Sequence, residues 1–175
     1  MNNLKLKKKY IKNVDVFILN QALHHCANPT KLLKKMLSYL KKGGYVLIRE
    51  PEISFSLRLL LLFLDDEAWS FNVNIFNSKK NIFDPKSPWD ANNATANLLF
   101  NNEDLFISHF PQYNIIKNEL SEFFTFINSG GVVQKKFNVP VNRFFFNLLD
   151  FLDKILIFLF PKFFALGRSV VLKKN

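Results

Sequence analysis

The sequence predicts an α/β fold, and three observations between residues 14 and 51 support this prediction. Residues 14–19 are an apolar run, rich in β-branched and aromatic side chains, that is too short for a typical helix and predicts a buried strand. A leucine-rich stretch with helical spacing follows, and residues 45–48 predict a second buried strand. A strand–helix–strand unit of this kind places its two strands parallel in one sheet with the helix on a face.

The boundaries of the connecting helix can be predicted from its flanking residues. Asn28 can cap the helix, Pro29 suits its first turn, and the pair Gly43 and Gly44 is expected to end it, because glycine accepts the left-handed backbone of a helix exit. The lysines of this stretch lie on the opposite face. The apolar residues that recur at helical spacing are Leu32, Leu33, Met36, Leu37 and Leu40.

The order of these features resembles the second half of a class I S-adenosylmethionine-dependent methyltransferase of the type 11-like branch. The match consists of an aspartate inside an apolar strand, the Ala-Leu-His-His of residues 22–25, a leucine-rich helix, residues 40–48 with their glycine pair, and Glu-Pro at residues 50–51. The resemblance implies a partial Rossmann-like sheet with the equivalents of strands four to seven and flanking helices. It also implies a final antiparallel strand inserted between the fifth and sixth.

The sequence departs from that family at the cofactor site. In the family, a glycine-rich loop after the first strand and an acidic residue ending the second strand hold S-adenosylmethionine, and both lie upstream of this unit. Thirteen residues precede Val14 here, and none is glycine. We therefore expect a truncated or split methyltransferase, a C-terminal half whose S-adenosylmethionine site is incomplete and which is inactive alone.

Candidate site residues follow the two predicted parallel strands, because ligands of such sheets collect at the carboxyl ends of the strands. The resemblance implies that Asn20 and Gln21 bind the methionine part of the cofactor. Glu50 ends the next strand on the same rim and is a candidate substrate ligand. His25, and less so His24, could accept a proton from a substrate hydroxyl. The alternative is that one histidine packs against or caps the following helix.

Residues 68–100 form an irregular stretch rich in proline, asparagine and aromatic residues, a composition that favours turns. A substrate lid would have this character, with Trp89 as a candidate substrate-binding residue. An ordered surface loop anchored by its aromatic residues is the alternative. The Asp-Pro of residues 84–85 and the Leu-Leu-Phe of residues 98–100 also resemble methyltransferases of surface-glycan assembly, which implies a sugar or another small molecule as the methyl acceptor.

Further helices, strands and a turn are predicted after residue 52. Asn101 or Asn102 should begin a short helix that Pro111 stops. The remaining predictions are a helix over residues 53–64, strands over 113–116, 123–126 and 169–172, and a turn over 128–131.

The most apolar predicted element is a long helix over residues 140–164. Arg143, Asp150, Asp153 and Lys154 interrupt it, so that it cannot cross a bilayer cheaply. Burial against the sheet is the expected arrangement, and a position in a membrane interface is the alternative that remains open.

Composition limits the protein class. Its 175 residues are the length of one domain, and 49% hydrophobic against 22% charged residues excludes general disorder. The net charge of +10 is scattered, so we expect no specific nucleic-acid partner. A single cysteine, Cys26, excludes an internal disulfide and is expected to be a small buried thiol. The acidic residues 65–67 are expected to be a surface turn, and no metal site is predicted.

These observations leave three functional hypotheses open. The first is a cytoplasmic methyltransferase, or a fragment of one, that acts on a small-molecule acceptor. The second is a non-catalytic scaffolding remnant that pairs the bare edge of residues 14–19 with a partner strand or a missing N-terminal half. The third is a peripheral membrane protein that uses the helix at residues 140–164.

Overall fold

The computed structural model describes residues 10–64, 68–86, 90–128 and 141–175. The predicted acidic turn at residues 65–67, most of the turn at 128–131 and Trp89 lie outside these ranges. Within them the chain forms four strands and seven helices. In chain order they are β1 Val14–Asn20, α1 Pro29–Tyr39, β2 Leu40–Pro51, α2 Phe55–Leu64, α3 Thr95–Phe100, α4 Glu103–His109, β3 Tyr113–Ser121, α5 Phe124–Asn128, α6 Arg143–Leu159, α7 Pro161–Phe164 and β4 Gly167–Lys174.

The four strands form one sheet in the order β1-β2-β4-β3. β1 and β2 are parallel, as a strand–helix–strand unit requires, and the register pairs Phe17 with Val46 and Leu19 with Ile48. β4 is antiparallel to both of its neighbours, β2 and β3. The predicted α/β fold is therefore confirmed, including the insertion of the final antiparallel strand between two earlier ones.

The main core lies between the sheet and the helices α1, α3 and α4. The residues that are fully buried there include Leu33 from α1, Leu40 and Val46 from β2, and Leu172 from β4. A cluster of aromatic rings from α3, α4 and β3 extends this core, with Phe106 stacked on Phe110. Helices α1 and α4 were predicted from the sequence, whereas α3 forms within the stretch of residues 68–100 that was predicted to be irregular.

Helix α1 ends four residues before the glycine pair that was expected to stop it. Asn28 caps its start as predicted, by accepting a hydrogen bond from the backbone N–H of Lys31 at 2.8 Å. At the other end, Leu40 is already extended and its side chain enters the core. Lys174 of β4 satisfies the carbonyl oxygens of Leu37 and Leu40 at 2.7 and 2.8 Å, so a distant lysine replaces the expected glycine cap.

Gly43 and Gly44 instead shape the entry of β2. Gly43 has a φ of +75°, and the register with β1 shifts at this point. A Cβ on Gly44 would lie 3.0 Å from the carbonyl oxygen of Asp15. Glycine is therefore needed here for a backbone bend and for a close approach between β1 and β2.

The predicted strand over residues 123–126 is wrong, because Phe124–Asn128 is the helix α5. Asp153 of α6 accepts hydrogen bonds from the backbone N–H groups of Phe123, Phe124 and Thr125 at 2.8 to 3.1 Å. These donors are the unsatisfied groups at the start of a helix, and a carboxylate there stabilises the helix. The residue that decides this conformation is 28 to 30 positions away in the chain.

The predicted long helix of residues 140–164 consists of α6 and α7, separated at Phe160. The expected burial of this region against the sheet is wrong for α6, where Asp153 is the buried residue and most apolar side chains are exposed. The described chain contains no helix that is both long enough and apolar enough to cross a membrane.

The stretch from residue 68 to 100 is irregular over residues 68–86, as predicted, and ends in the buried helix α3. Hydrogen bonds hold its irregular part to the start of α1. Thr30 Oγ1 donates to the carbonyl oxygen of Ile75 at 2.7 Å, and Asn28 Nδ2 donates to that of Lys80 at 2.8 Å. The backbone N–H of Ile82 donates to Ala27 at 2.8 Å.

Candidate functional site

The predicted site residues gather where the parallel strands end. β1 ends at Asn20 and β2 ends at Pro51, and the segment from Gln21 to Asn28 connects β1 to α1 along this rim. Because β1 and β2 are parallel, their carboxyl ends lie side by side. The sequence-predicted residues Asn20, Gln21, His24, His25 and Glu50 therefore belong to one region of the molecule.

Glu50 is the anchor of this rim. Its side chain is 1% exposed. Oε1 accepts from the backbone N–H groups of Ala22 and Leu23 at 2.8 and 2.6 Å, and Oε2 accepts from the backbone N–H of His24 at 3.1 Å. One carboxylate thus fixes three consecutive backbone amides of the connecting segment.

His24 completes the arrangement around Glu50. Its Nδ1 lies 2.5 Å from Glu50 Oε2 and, because a carboxylate oxygen only accepts, we assign Nδ1 as the donor. His24 is 3% exposed, so it lies inside the protein, where it supports Glu50. The predicted direct contact between Glu50 and a substrate has no support in this geometry, since both carboxylate oxygens already accept bonds from the chain.

His25 has a different environment from its neighbour. Its ring is half-buried and lies beside that of His24, with 4.1 Å between the two centroids. Of the two predicted catalytic histidines, His25 has the ring that solvent can reach. A substrate at the rim would therefore meet His25 before His24.

Asn20 is the last residue of β1, and Gln21 follows it. Asn20 is exposed and stands opposite Arg49 in the register of the parallel pair. Gln21 is half-buried, and its backbone has a φ of +50°, a left-handed conformation that is uncommon for a residue other than glycine. Its backbone N–H donates to the carbonyl oxygen of Arg49 at 2.8 Å, so this bend is tied to β2.

The irregular stretch reaches the same rim through Asn92. The backbone N–H of Asn92 donates to the carbonyl oxygen of His24 at 3.0 Å. A pocket of about 290 Å³ lies beside it, lined by Trp69, Ser70, Asp90 and Asn92 among others. This connection could not be predicted from the sequence, because asparagine is common in surface turns and its long-range partners are not encoded locally.

A buried polar network that sequence reasoning missed lies beyond the end of β2. Arg168 at the start of β4 donates to Glu52 through Nε at 2.6 Å and through Nη2 at 3.0 Å. Its guanidinium also donates to Asn118 and Asn101, and Asn97 donates to Glu52 Oε1 at 2.7 Å. Arg168 and Glu52 are 116 positions apart in the chain, so only the tertiary structure shows that they pair. The one indication in the sequence was that Arg168 is a charged residue directly before the apolar run of a predicted strand.

Cys26 is a buried thiol, as expected from its type. It is 1% exposed, and burial raises the pKa of its thiol above the ordinary value. A thiol that stays protonated is a poor nucleophile, so a catalytic role beside His25 gains no support. Among the residues that the structure describes, no three histidine, cysteine or acidic side chains cluster as metal ligands would.

The rim fits S-adenosylmethionine only in part. Asn20 and Gln21 offer amide groups that would hold a polar portion of the cofactor at the end of β1. The backbone amides of residues 22–24 are already bonded to Glu50. Gly43 and Gly44 lie near the start of β2, at the end of the strand that is away from the rim. This glycine pair is therefore not a cofactor loop.

Three comparisons place the chain among known proteins. Residues 7–87 match a family model described as a methyltransferase domain. A search of curated proteins finds no match. Among solved structures, an S-adenosylmethionine-dependent methyltransferase from Archaeoglobus fulgidus is 14% identical, with 94% of this chain and 61% of that chain covered and a TM-score of 0.43.

Two bacterial structures are similar at the same level. A methyltransferase from Bacillus halodurans C-125, described as putative, is 13% identical over 97% of this chain and 72% of that chain, with a TM-score of 0.41. The YcgJ protein from Bacillus subtilis is 13% identical over 94% and 65%, with a TM-score of 0.39. The chain thus spans 61% of the length of the archaeal structure. The match over residues 7–87, which include β1, α1 and β2, thus identifies a methyltransferase domain in this part of the chain.

Proposed function

We propose that this chain is the acceptor-side part of an S-adenosylmethionine-dependent methyltransferase, which needs further residues to complete its cofactor site. The observation that carries the proposal is the family match over residues 7–87, which includes β1, α1, β2 and the rim residues between them. The exposed amide of Asn20 and the half-buried ring of His25 face the same rim, where a cofactor and an acceptor would meet.

The chemistry that this arrangement supports is direct transfer of a methyl group to a nucleophilic atom of the acceptor. S-adenosylmethionine, when bound, supplies a methyl group that its sulfonium already activates. The protein's own task is then mainly to position the acceptor. His25 is the residue that would accept a proton from the acceptor, while Glu50 and His24 hold the segment that carries it.

The acceptor that we propose is a sugar or another small polar molecule. The pocket of about 290 Å³ in the irregular stretch supports this choice, because it combines the indole of Trp69 with the carboxylate of Asp90. An aromatic face and a few polar groups are the usual means of binding such molecules. Asn92 ties this pocket to His24, and Trp89 is retained as a substrate-binding prediction.

The need for further residues is inferred from the rim itself. A tightly held cofactor requires several backbone donors and a close approach of the backbone, usually through glycine. The described rim offers the side chains of Asn20 and Gln21, while the amides of residues 22–24 are used by Glu50. Weak binding of the cofactor by this chain alone is the consequence.

Titration with S-adenosylhomocysteine, followed by backbone NMR, tests the proposal. We expect weak, saturable shifts confined to Asn20, Gln21 and His25, and we expect the Asn20→Ala variant to lose them. Asn114→Ala, which changes an exposed asparagine on β3, is the matched control and should bind like the unmodified chain.

Two results would overturn parts of the proposal. Shifts that are absent, or that centre on β3, would remove the assignment of the rim. Tight one-to-one binding measured by calorimetry would keep the methyltransferase assignment but contradict the need for further residues. We also propose a cytoplasmic location for this chain.

A second candidate function has one specific observation in its favour. β1 is an outermost strand of the described sheet, so one of its edges is unpaired there, and its apolar side chains Ile18, exposed at 72%, and Val16 are also uncovered. We infer that a partner strand or a further part of the methyltransferase pairs with this edge. A non-catalytic scaffolding role would follow if the chain pairs through β1 and binds no cofactor; a stable monomer in size-exclusion chromatography would count against it.

A further inference from the structure

We propose that the outward face of α6, together with α7 and α2, is a docking surface for a membrane that contains anionic lipids. The proposal is independent of the methyltransferase assignment. It rests on the exposure of phenylalanine and leucine side chains on these three helices, on their continuity, and on the charges beside them.

The apolar face of α6 points away from the protein. Its residues recur at intervals of four and three along one side of the helix, and all five are exposed, Phe144 at 73% and Phe158 at 85%. They are Phe144, Leu148, Phe151, Ile155 and Phe158. The anchoring residue Asp153 is buried at the N-terminus of α5, so the side chains of this row are not needed to hold α6 in place.

The apolar surface continues onto two further helices. Phe163 of α7 packs against Phe55 of α2, with 5.5 Å between their ring centroids, and both side chains are about half exposed. Leu62 and Phe63 are further exposed apolar residues of α2, and Phe63 is 83% exposed. Helix α7 contacts both α6 and α2. Single exposed apolar residues are normal on a protein surface, whereas many exposed apolar side chains on three helices in contact indicate a binding surface.

The charges on these helices suit an anionic surface. Arg58, Arg143 and Lys162 are exposed basic residues, whereas Asp153 is buried and accepts hydrogen bonds from α5. The remaining acidic residue, Asp150, is paired with Lys154 at 2.6 Å. The whole chain carries +10, which attracts it to anionic lipids over the Debye length.

A membrane fits these observations better than a second helix or a second copy of the chain. One partner helix would cover a single row along α6, which is roughly 25 Å long at 1.5 Å per residue, and would leave α2 and α7 uncovered. A second copy would bring its own positive charge to the interface. An anionic lipid surface accepts a broad apolar face and compensates the basic residues beside it.

Co-sedimentation with lipid vesicles tests this docking surface. Vesicles of phosphatidylcholine mixed with phosphatidylserine should sediment the chain at low salt, and vesicles of phosphatidylcholine alone should do so much less. The triple variant Phe144→Ser/Phe151→Ser/Phe158→Ser should bind roughly tenfold more weakly or worse, because it removes apolar contact area from the lipid. Binding of the unmodified chain should also weaken as salt is added.

The matched control changes exposed apolar residues elsewhere. Leu105→Ser/Ile116→Ser alters α4 and β3 and should leave vesicle binding unchanged. Circular dichroism of all variants should match the unmodified chain, since every substituted side chain is exposed. Vesicle binding that the triple variant retains in full would overturn the proposal, as would an absence of binding by the unmodified chain at low salt.

Light scattering distinguishes a membrane from the other possible occupant of this surface, a second copy of the chain. If the unmodified chain is a dimer, and the triple variant is a monomer whose vesicle binding is unchanged, the surface is an interface between copies and the membrane proposal fails. A monomer in both cases, with vesicle binding lost in the triple variant, supports it.

Discussion

The crossover helix α1 and the helix α6 have similar sequence patterns and opposite environments. Both begin with an asparagine cap that accepts a backbone bond three residues on, and both carry apolar residues at helical spacing. In α1 the apolar row faces the sheet, and Leu33 is fully buried. In α6 the corresponding row faces away, and Phe158 is largely exposed.

The difference shows that an apolar row predicts a contact but not the partner. α1 connects two neighbouring parallel strands and therefore lies on a face of the sheet, so its apolar row must cover the sheet. α6 contacts α5, α7 and β3, and its buried residue Asp153 lies off the apolar row and accepts hydrogen bonds from the start of α5. The side of α6 that carries Asp153 therefore faces the protein, and its apolar row is left for another partner.

The largest expected effect is a contrast between two phenylalanines, one from each kind of region. Phe106→Ala should lower the free energy of unfolding by about 3–5 kcal/mol, because it leaves a cavity in the main core. Phe158→Ala should change it by no more than about 0.5 kcal/mol, because that ring is exposed. Urea unfolding measures both, and equal losses in the two variants would contradict the comparison.

Glu50→Gln should have the next largest effect. It removes the carboxylate that binds three backbone amides and the ring of His24, which should cost about 3 kcal/mol of unfolding free energy. Glu119→Gln is the control, because its exposed partner Lys117 contributes at most about 1 kcal/mol. Chemical denaturation that finds the two variants equally stable would exclude Glu50 as the anchor of the rim.

Substitution of the glycine pair should distinguish its two members. Gly44→Ala forces a Cβ against the carbonyl oxygen of Asp15 and should cost about 1–3 kcal/mol. Gly43→Asn should cost less, since asparagine tolerates a positive φ and no atom lies within 4 Å of a Cβ there. Thermal unfolding of both variants tests this order, and a larger loss in Gly43→Asn would reverse our account of the β1–β2 contact.

The smallest expected effect is a loss of stability at alkaline pH, caused by the buried side chains of Cys26 and Tyr113. Burial raises the pKa of Cys26 and of Tyr113 above their ordinary values of 9.0 and 10.0. Above those values the unfolded chain loses protons that the folded chain keeps, so stability is full below about pH 9 and should fall as the pH rises through 10. Urea midpoints against pH measure this, and the double variant Cys26→Ala/Tyr113→Phe should flatten the curve. An unchanged alkaline slope in that variant would assign the loss to other groups.

The sequence was sufficient for the parts of the fold and site that depend on local pattern. Asn28 and Asn102 cap the predicted helices, because a cap needs only a side chain three residues from a free amide. Neighbouring rim residues such as Asn20 and His25 could be found because they follow a recognisable strand. Asp153, Lys174 and Asn92 could not be assigned, since each bonds an element that is distant in the chain.

By itself, the sequence determined the parallel β1–α1–β2 unit, because apolar periodicity, capping residues and chain connectivity all act within about forty residues. The tertiary structure decided where α1 ends, why residues 124–128 are helical, and that the apolar row of α6 faces outward. The physical reason is that these choices depend on ammonium and carboxylate groups that satisfy backbone atoms far away in sequence, and such long-range pairs leave no periodic signal in the chain.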